Sequence, residues 1–556
     1  PSLPFIQAEK VTDVPIAVRL DPSYGYRLVG RETLDGHPVY VIDFDPVRSG
    51  DALYSGRVWI DAESFVRRKI RLVQQGLKAP ITSNEDVIDY GPAPGGGEDH
   101  WVPLHAYRQM VFTVLGRTVA VERTVSYGDF HVNGPDFEVH RKMAYSSGNR
   151  IARDDNNGFA YLTGEPGGVR TQETSSLRNV AIVSGVTLGF SPAVSSPGAG
   201  INYFDFDWRG TGTQVDIAWA GPFLDGTWTN PSLGGSRWEL STEGRFLGVR
   251  QKLKRTTDNG GRGEEALAVL DEATFFTLAH PLGERMKAEL QLQLSRDEFN
   301  PADTASRRLV VPADLITETT LGRWRYNRAG VSVELWGSYS HRPNWADWGL
   351  PPGPRGQPAG SRGQAGDTTY KRWGTTLAKS WYPGGLQKVG LSVSLDAGSG
   401  MDRFSRFRVG DFQSVRVHGF NGSDITFDRG ASAELAYQFT IPQTGMSLLV
   451  NLDGALMENK EDFLSKPSDR SYREYIVGAG LGVAFNGPWG TLVNVSTGWR
   501  VANSLTLDAT GTSFHIVLVK TFGDWPWKKN PVEGGTMPGG VGSGTTDLPG
   551  DSGSGR

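Results

Sequence analysis

Long runs in which apolar and polar residues alternate one for one constrain this chain more than any other feature. Ala288, Leu290, Leu292 and Leu294 share one parity while Glu289, Gln291, Gln293 and Ser295 take the other. Val331, Val333, Leu335, Gly337 and Tyr339 alternate in the same way with Ser332, Glu334, Trp336, Ser338 and Ser340, as do Ala433, Leu435, Tyr437 and Phe439 with Ser432, Glu434, Ala436 and Gln438. Val215, Ile217 and Trp219 repeat the pattern against Gln214, Asp216 and Ala218. Successive side chains of a strand project to opposite faces, so each such segment needs one apolar and one wet surrounding.

A soluble sandwich and a membrane barrel both supply that contrast. Three features favour the barrel. The alternating segments often run to about ten residues or more, where strands of soluble domains average roughly five or six. Their number comes to about sixteen, an even count. Aromatic residues such as Tyr203, Trp219, Trp228, Trp238, Trp336 and Trp381 stand near segment ends, where interface girdles require them. Connections also alternate in length. Short ones such as 383–385 and 486–488 trade with long polar ones at 256–265, 341–367 and 458–473, as periplasmic turns trade with extracellular loops. The fold class expected is therefore all-β: a sixteen-stranded transmembrane β-barrel preceded by a small curved antiparallel sheet.

The barrel texture spans 179–523. Residues 1–133 read as a β-rich domain, with a hairpin from Tyr26–Gly30 to Val39–Phe44 closed by Asp35-Gly36 and a second pair at Gly56–Asp61 and Arg68–Val73. Further strands fit Trp101–Tyr107, Val111–Leu115 and Thr118–Ser126. Residues 134–178 read as a short helix, opened by Pro135 with acidic residues in its first turn, and a polar linker. Residues 524–556 read as a disordered Gly/Pro/Ser-rich tail. The chain opens at Pro1 with neither a basic nor an apolar leader segment, so no secretory signal is read there.

Composition removes several classes of function. With Cys at zero, a disulfide framework, a thiolate metal site and a cysteine nucleophile are excluded. The 57 basic and 61 acidic residues include no basic stretch that would track a phosphate backbone, so nucleic acid is not an expected partner. No apolar run is long enough for a membrane helix. His100, His105, His131 and His140 lack metal-ligand spacing, and 154–158 lacks the ligand series of a calcium loop. No nucleophile elbow, P-loop or dinucleotide fingerprint occurs. The chain reads as a non-enzyme with no cofactor.

Two stretches resemble a known family. Asn202–Gly212, the strand Gln214–Ala220, Trp228–Leu233 and Arg237–Ser241 look like the opening strands of the BamA/TamA-type barrels, the bacterial surface antigen superfamily. Val415-Arg-Val-His-Gly-Phe-Asn-Gly-Ser-Asp424, ahead of the alternating strand Gly430–Phe439, resembles that family's inward-folded loop, normally Val-Arg-Gly-Phe or Val-Arg-Gly-Tyr. The inward-loop motif maps onto Val415, Arg416, His418, Gly419 and Phe420. The resemblance implies that the residue at 418, an arginine in the family, lies in the lumen and pairs with an acidic residue on the next strand, here Asp453. Histidine is ionised only in part at neutral pH, so this pair is expected to be weaker unless Asp453 favours the charged form or Arg416 takes over. The resemblance also implies a barrel-closing strand ending on the aromatic Phe522, and a seam between Asn179–Phe190 and Ser513–Phe522 that opens laterally.

Residues 26–42 and 56–61 resemble the lipoprotein-carrier sheets of the LolA/LolB type, and also the β-rich domain that precedes surface-antigen barrels in some bacteria. Such a sheet could enclose acyl chains, or Val39, Val41, Trp59 and Ile60 could simply form a small core. The βααββ repeats that usually precede these barrels are missing. The expectation is an outer-membrane protein, its N-terminal domain periplasmic, in contact with outer-membrane lipid and acting in insertion or translocation of a protein, lipoprotein or lipid cargo. The alternative is a passive pore or structural barrel without insertase activity, and a weaker third reading places a catalytic part upstream of Pro1.

Overall fold

The alternating segments close on themselves. The computed structural model describes residues 24–47, 54–75, 77, 81–93, 101–114, 117–128, 135–146, 151–155, 158–163, 171–172, 178–189, 196–221, 223–253, 267–301, 309–349, 362–363, 368–384, 387–402, 404–410, 415–420, 425–441, 444, 446–460, 471–488, 491–504 and 512–523. The chain forms two compact units, Pro1–Leu177 and Arg178–Arg556.

The first unit contains a seven-stranded antiparallel sheet in chain order: β1 (Tyr24–Leu34), β2 (His37–Pro46), β3 (Tyr54–Asp61), β4 (Arg67–Gln74), β5 (Ile81–Pro92), β6 (Trp101–Val114) and β7 (Arg117–Ser126). Asp35 and Gly36 both take positive φ between the paired Leu34 and His37, the geometry a two-residue hairpin turn requires. The segments read as two strands at Trp101–Tyr107 and Val111–Leu115 are the single strand β6. Residues 108–110 continue the ladder, with Asp86 on β5 engaging Arg108, and leave no turn there. One face of the sheet packs Phe44, Val58, Ile70 and Leu72 together, flanked by Ile42, Ile60 and Ile88. On the other, Asp43 joins Arg27 and Arg57 at 2.9 and 2.6 Å.

Asp61 ends β3 at a tight turn. Its carboxylate accepts the backbone N–H groups of Ser64 and Glu63 at 2.9 and 3.0 Å, and the Arg68 guanidinium at 2.6 Å. The remaining described segments of this unit are α1 (Phe137–Ser146) and a three-stranded sheet of β8 (Ile151–Asp155), β9 (Gly158–Thr163) and β10 (Thr171–Gln172). The helix starts two residues after Pro135, and β10 falls within the segment read as a linker.

The second unit is a closed antiparallel barrel of sixteen strands. They are β11 (Arg178–Gly189), β12 (Ser196–Asp205), β13 (Gln214–Ala220), β14 (Phe223–Asn230), β15 (Glu239–Leu253), β16 (Leu267–Pro281), β17 (Met286–Pro301), β18 (Leu315–Arg328) and β19 (Val331–His341), a small hairpin of β20 (Trp348–Gly349) and β21 (Arg362–Gly363), then β22 (Thr369–Gly384) and β23 (Gln387–Ser399), a second small pair of β24 (Phe407–Arg408) and β25 (Thr426–Phe427), and finally β26 (Arg429–Ile441), β27 (Met446–Lys460), β28 (Ser471–Asn486), β29 (Leu492–Asn503) and β30 (Thr512–Gly523). The two small pairs are sheets separate from the wall. The seam between β11 and β30 is paired without interruption from Asn179↔Gly523 to Gly189↔Ser513. That is eleven positions, against five between β12 and β13, so the closing pair is not the most weakly joined part of the wall. Phe522 pairs with Val180 one residue before the strand ends, and its side chain, like all of Phe190, lies outside the described residues.

The wall is inside-out relative to a soluble protein. On β17, Leu290, Leu292 and Leu294 are half exposed on the exterior while Glu289, Gln291, Gln293 and Ser295 are buried in the lumen. Leu435 with Tyr437 and Leu452 with Leu456 continue the apolar exterior, where Trp219, Trp238 and Trp381 are also exposed. A water-soluble barrel would bury those leucines, whereas hydrocarbon around the wall removes them from water. Trp336 differs from the girdle position expected of it. It faces the lumen and packs on an internal apolar cluster, because it shares parity with Glu334 and Ser338 rather than with the exterior residues Leu335 and Tyr339.

Leu292→Arg should weaken folding into lipid vesicles by about 2–4 kcal/mol, as a charge near the bilayer midplane does, whereas Gln291→Lys on the lumen face should cost much less; denaturant titration of vesicle-folded protein measures both. In the first unit, the Ser64 backbone N–H above all, helped by Arg68 and Glu63, holds the Asp61 carboxyl well below the usual carboxylate range despite its burial. A depressed pKa contributes stability that is complete above the unfolded value of about 3.9 and is lost as pH falls through the lower folded value. Pepsin cleavage between Tyr54 and Gln74 should therefore accelerate below about pH 4. In Asp61→Asn it should already be faster at pH 4 and should lose that acid dependence.

Candidate functional site: a loop latched to the lumen wall

The described residues of the connection from β23 to β26 (400–402, 404–410, 415–420 and 425–428) turn back into the barrel. Lumen-facing parity explains where they go. Phe407, Val409, Val415, Val417, Phe420, Ile425 and Phe427 form a dry cluster with Ala455 and Met457 of β27 and Ile476 of β28. Those strand residues face inward, since Leu456 and Tyr475 beside them are exposed on the exterior. The pairing of β24 with β25 and a bridge between Val409 and Val415 hold the two arms of the loop together.

The tip of the loop bonds to two strands of the wall and packs against a third. The His418 backbone N–H donates to Asp453 Oδ1 at 2.9 Å, and His418 Nδ1 makes a short hydrogen bond to Asp453 Oδ2. Asn451, two residues earlier on β27, places Nδ2 3.4 Å from His418 Nε2. Arg500 on β29 donates from Nε to the Gly419 carbonyl at 3.0 Å and lays its guanidinium 4.6 Å over the Phe420 ring. On β28 the wall yields space. A side chain at Gly478 or Gly480 would occupy the position of the His418 backbone or ring, and one at Gly498 on β29 would press on His418 Cβ. Gly419 itself takes a φ of +79° with the β29 backbone close against it, so only glycine fits there without strain.

Of the residues singled out in the sequence, Val415, His418 and Phe420 are buried. Arg416 is half-buried, and His418 and Asp453 meet. Sequence reasoning missed Arg500, Asn451 and the glycine cradle. A signal for the cradle was present in Gly478-Ala-Gly480-Leu-Gly482, where glycine at every second position strips one face of a strand of its side chains.

The same loop reaches a second dry cluster toward the end of the barrel that carries the long connections. Leu267, Val269, Phe299 and Leu315 from the wall meet Leu309, Trp345 and Trp348 from two other connections, with Phe404 packed against them. Val310 and Gly349 exchange both backbone hydrogen bonds at 3.0 and 2.9 Å, tying those two connections together. Arg342, buried among the rings of Trp345 and Tyr370, donates from Nη1 to Asp402 at 2.7 Å and so joins this cap to the loop. Below it, near the short-turn end, a lumenal network runs from Glu239 through Lys287 to Glu289, Arg323, Arg325 and Glu334. Among the described residues no group of side chains is arranged to hold a metal.

No family model matches this chain, and no curated protein matches it. Several solved structures are similar. BamA from Haemophilus ducreyi lacking POTRA domains 1–3 aligns at 12% identity over 69% of this chain and 77% of that one, with a TM-score of 0.41. CdiB from Escherichia coli aligns at 12% identity over 67% of each chain, with a TM-score of 0.43. CdiB from Acinetobacter baumannii aligns at 9% identity over 67% of this chain and 65% of that one, with a TM-score of 0.41.

Gly480→Val should unseat the tip and expose Phe420, at a cost of about 1.5–3 kcal/mol from that ring alone. Trypsin should then cut at Arg416, a site protected in the native protein. Ala479→Val, on the lipid-facing parity of the same strand, should leave cleavage unchanged.

Proposed function

We propose that this is a bacterial outer-membrane barrel, its N-terminal unit periplasmic, that acts in insertion or translocation of a protein, lipoprotein or lipid cargo and works by moving its internal loop. The observation that carries this reading is the loop latched inside the lumen. It bonds to two strands of the wall and packs on a third, and it joins a cluster made with two other connections, an arrangement that favours a controlled interior over the open aqueous channel of a diffusion pore. The motif that resembles the surface antigen superfamily's inward loop is the segment that makes the anchor, which favours a family-like role. The chain enters the barrel at the end with the short turns 282–285 and 329–330, which supports a periplasmic side for that end. The uninterrupted pairing of the seam favours the passive alternative in one respect, since lateral opening there would break eleven residue pairs.

Depletion separates the two readings. An insertase or translocator should, on depletion, lose specific outer-membrane proteins or lipids from the envelope. In planar bilayers it should show a low basal conductance that rises when the cap is opened by Arg342→Ala. A large, stable conductance in the native protein with no envelope defect on depletion would instead establish the passive pore.

A further inference from the structure

His418 ties the loop to the wall through its side chain, and its surroundings accept it in either protonation state. With a proton on Nδ1 only, it donates to Asp453 and its Nε2 accepts from Asn451 Nδ2. With a second proton on Nε2 it needs an acceptor there. Asn451 Oδ1 is buried and has no hydrogen-bond partner, and a half-turn of that amide brings it to Nε2. The imidazolium would then face a carboxylate on one nitrogen and an amide oxygen on the other, with no movement of the strands.

We propose that this latch is proton-operated: acid charges His418 and tightens the loop on the wall, and loss of the proton loosens it. The charged ring is held by a carboxylate only while the loop is latched, so proton uptake and latching favour one another. Charge-assisted hydrogen bonds are roughly twice as strong as neutral ones, which sets the direction of the effect.

The other charged groups around the tip are few. Asp453 lies on β27, and Glu434 on β26 is in register with it. Arg500 on β29 holds the neighbouring Gly419 carbonyl. The contacts from β28 come from Gly478 and Gly480, and they carry no charge. His515 on β30 is in register with Ser496 of β29. Arg416 stands two residues upstream in the loop. Histidine is the only type among these that ordinarily changes charge between about pH 5 and about pH 8. The proposal rests on the latch geometry and is independent of what the barrel transports.

The absence of native cysteine permits a direct test in the full-length protein in lipid vesicles. Val417→Cys places a thiol in the dry cluster, where it reacts with a maleimide only when the loop leaves the wall. Rates are normalised to the unfolded protein in the same buffer to remove the thiol's own pH dependence. Labelling of Val417→Cys should be several-fold faster near pH 8 than near pH 5.5, the span in which histidine titrates. Adding His418→Gln, which keeps a donor and an acceptor but cannot charge, should make the two rates equal, and adding His515→Gln should leave the difference intact. Equal rates with His418 present would overturn the proposal, as would a pH difference that survives His418→Gln or vanishes with His515→Gln. If the glutamine variant does not fold, Asn451→Leu supplies the second reading. It removes the acceptor for the Nε2 proton and should shrink the pH difference, and an undiminished difference would count against the mechanism.

Discussion

Backbone hydrogen bonding in hydrocarbon is the constraint from which the rest of the barrel follows. A strand in lipid has no water to satisfy its N–H and C=O groups, so every strand needs a neighbour on both sides and the sheet must close. Closure through the β11–β30 pair fixes the register of the whole wall, and register fixes parity. Parity in turn decides that Leu292 meets lipid and Gln291 the lumen, and that Asp453, Ala455 and Met457 point at the loop while Leu452 and Leu456 point away from it.

The loop exploits this parity. Its apolar residues cannot pack against the polar lining that most of the lumen presents, as on β17. They gather instead where the lining is short or apolar, at Ala455, Met457, Ile476 and the glycines of β28. Two polar groups of that region take partners from the loop. Asp453 is matched by the His418 backbone and ring, and Arg500 by the Gly419 carbonyl and the Phe420 face. Deep burial of Asp453 would be costly without that partner, so the wall and the loop depend on one another for polar satisfaction.

Much of this was legible in the sequence because the determining signals are local. Period-two alternation identified the β17 and β26 faces and Asp35-Gly36 marked the first hairpin, while an inward loop at Val415–Phe420 with Asp453 as its partner was implied by the resemblance to a family motif. Features set by distant contacts were not legible in that way. Nothing near Arg500 announces that it will meet a carbonyl eighty residues earlier in the chain, and nothing in 342–348 shows that Trp345 and Trp348 will pack on Phe404. Trp336 reads as an interface aromatic if only its place near a segment end is considered. Its parity with Glu334 was the better guide. The split at 107–111 failed for a related reason: the partner that keeps Arg108 in the ladder, Asp86, lies on the neighbouring strand.

The bare face of β28 carries a mechanical consequence. Glycine in a strand contributes backbone freedom and no lateral packing, and here the His418 ring and backbone fill the volume that side chains would have taken. The loop is in effect a detachable lining for that strip of wall. While it is seated, the strip is as thick as its neighbours. Once it leaves, β28 keeps its ladder but loses its inner layer, so the barrel's stiffness on that side is set by a segment that is not part of the wall at all.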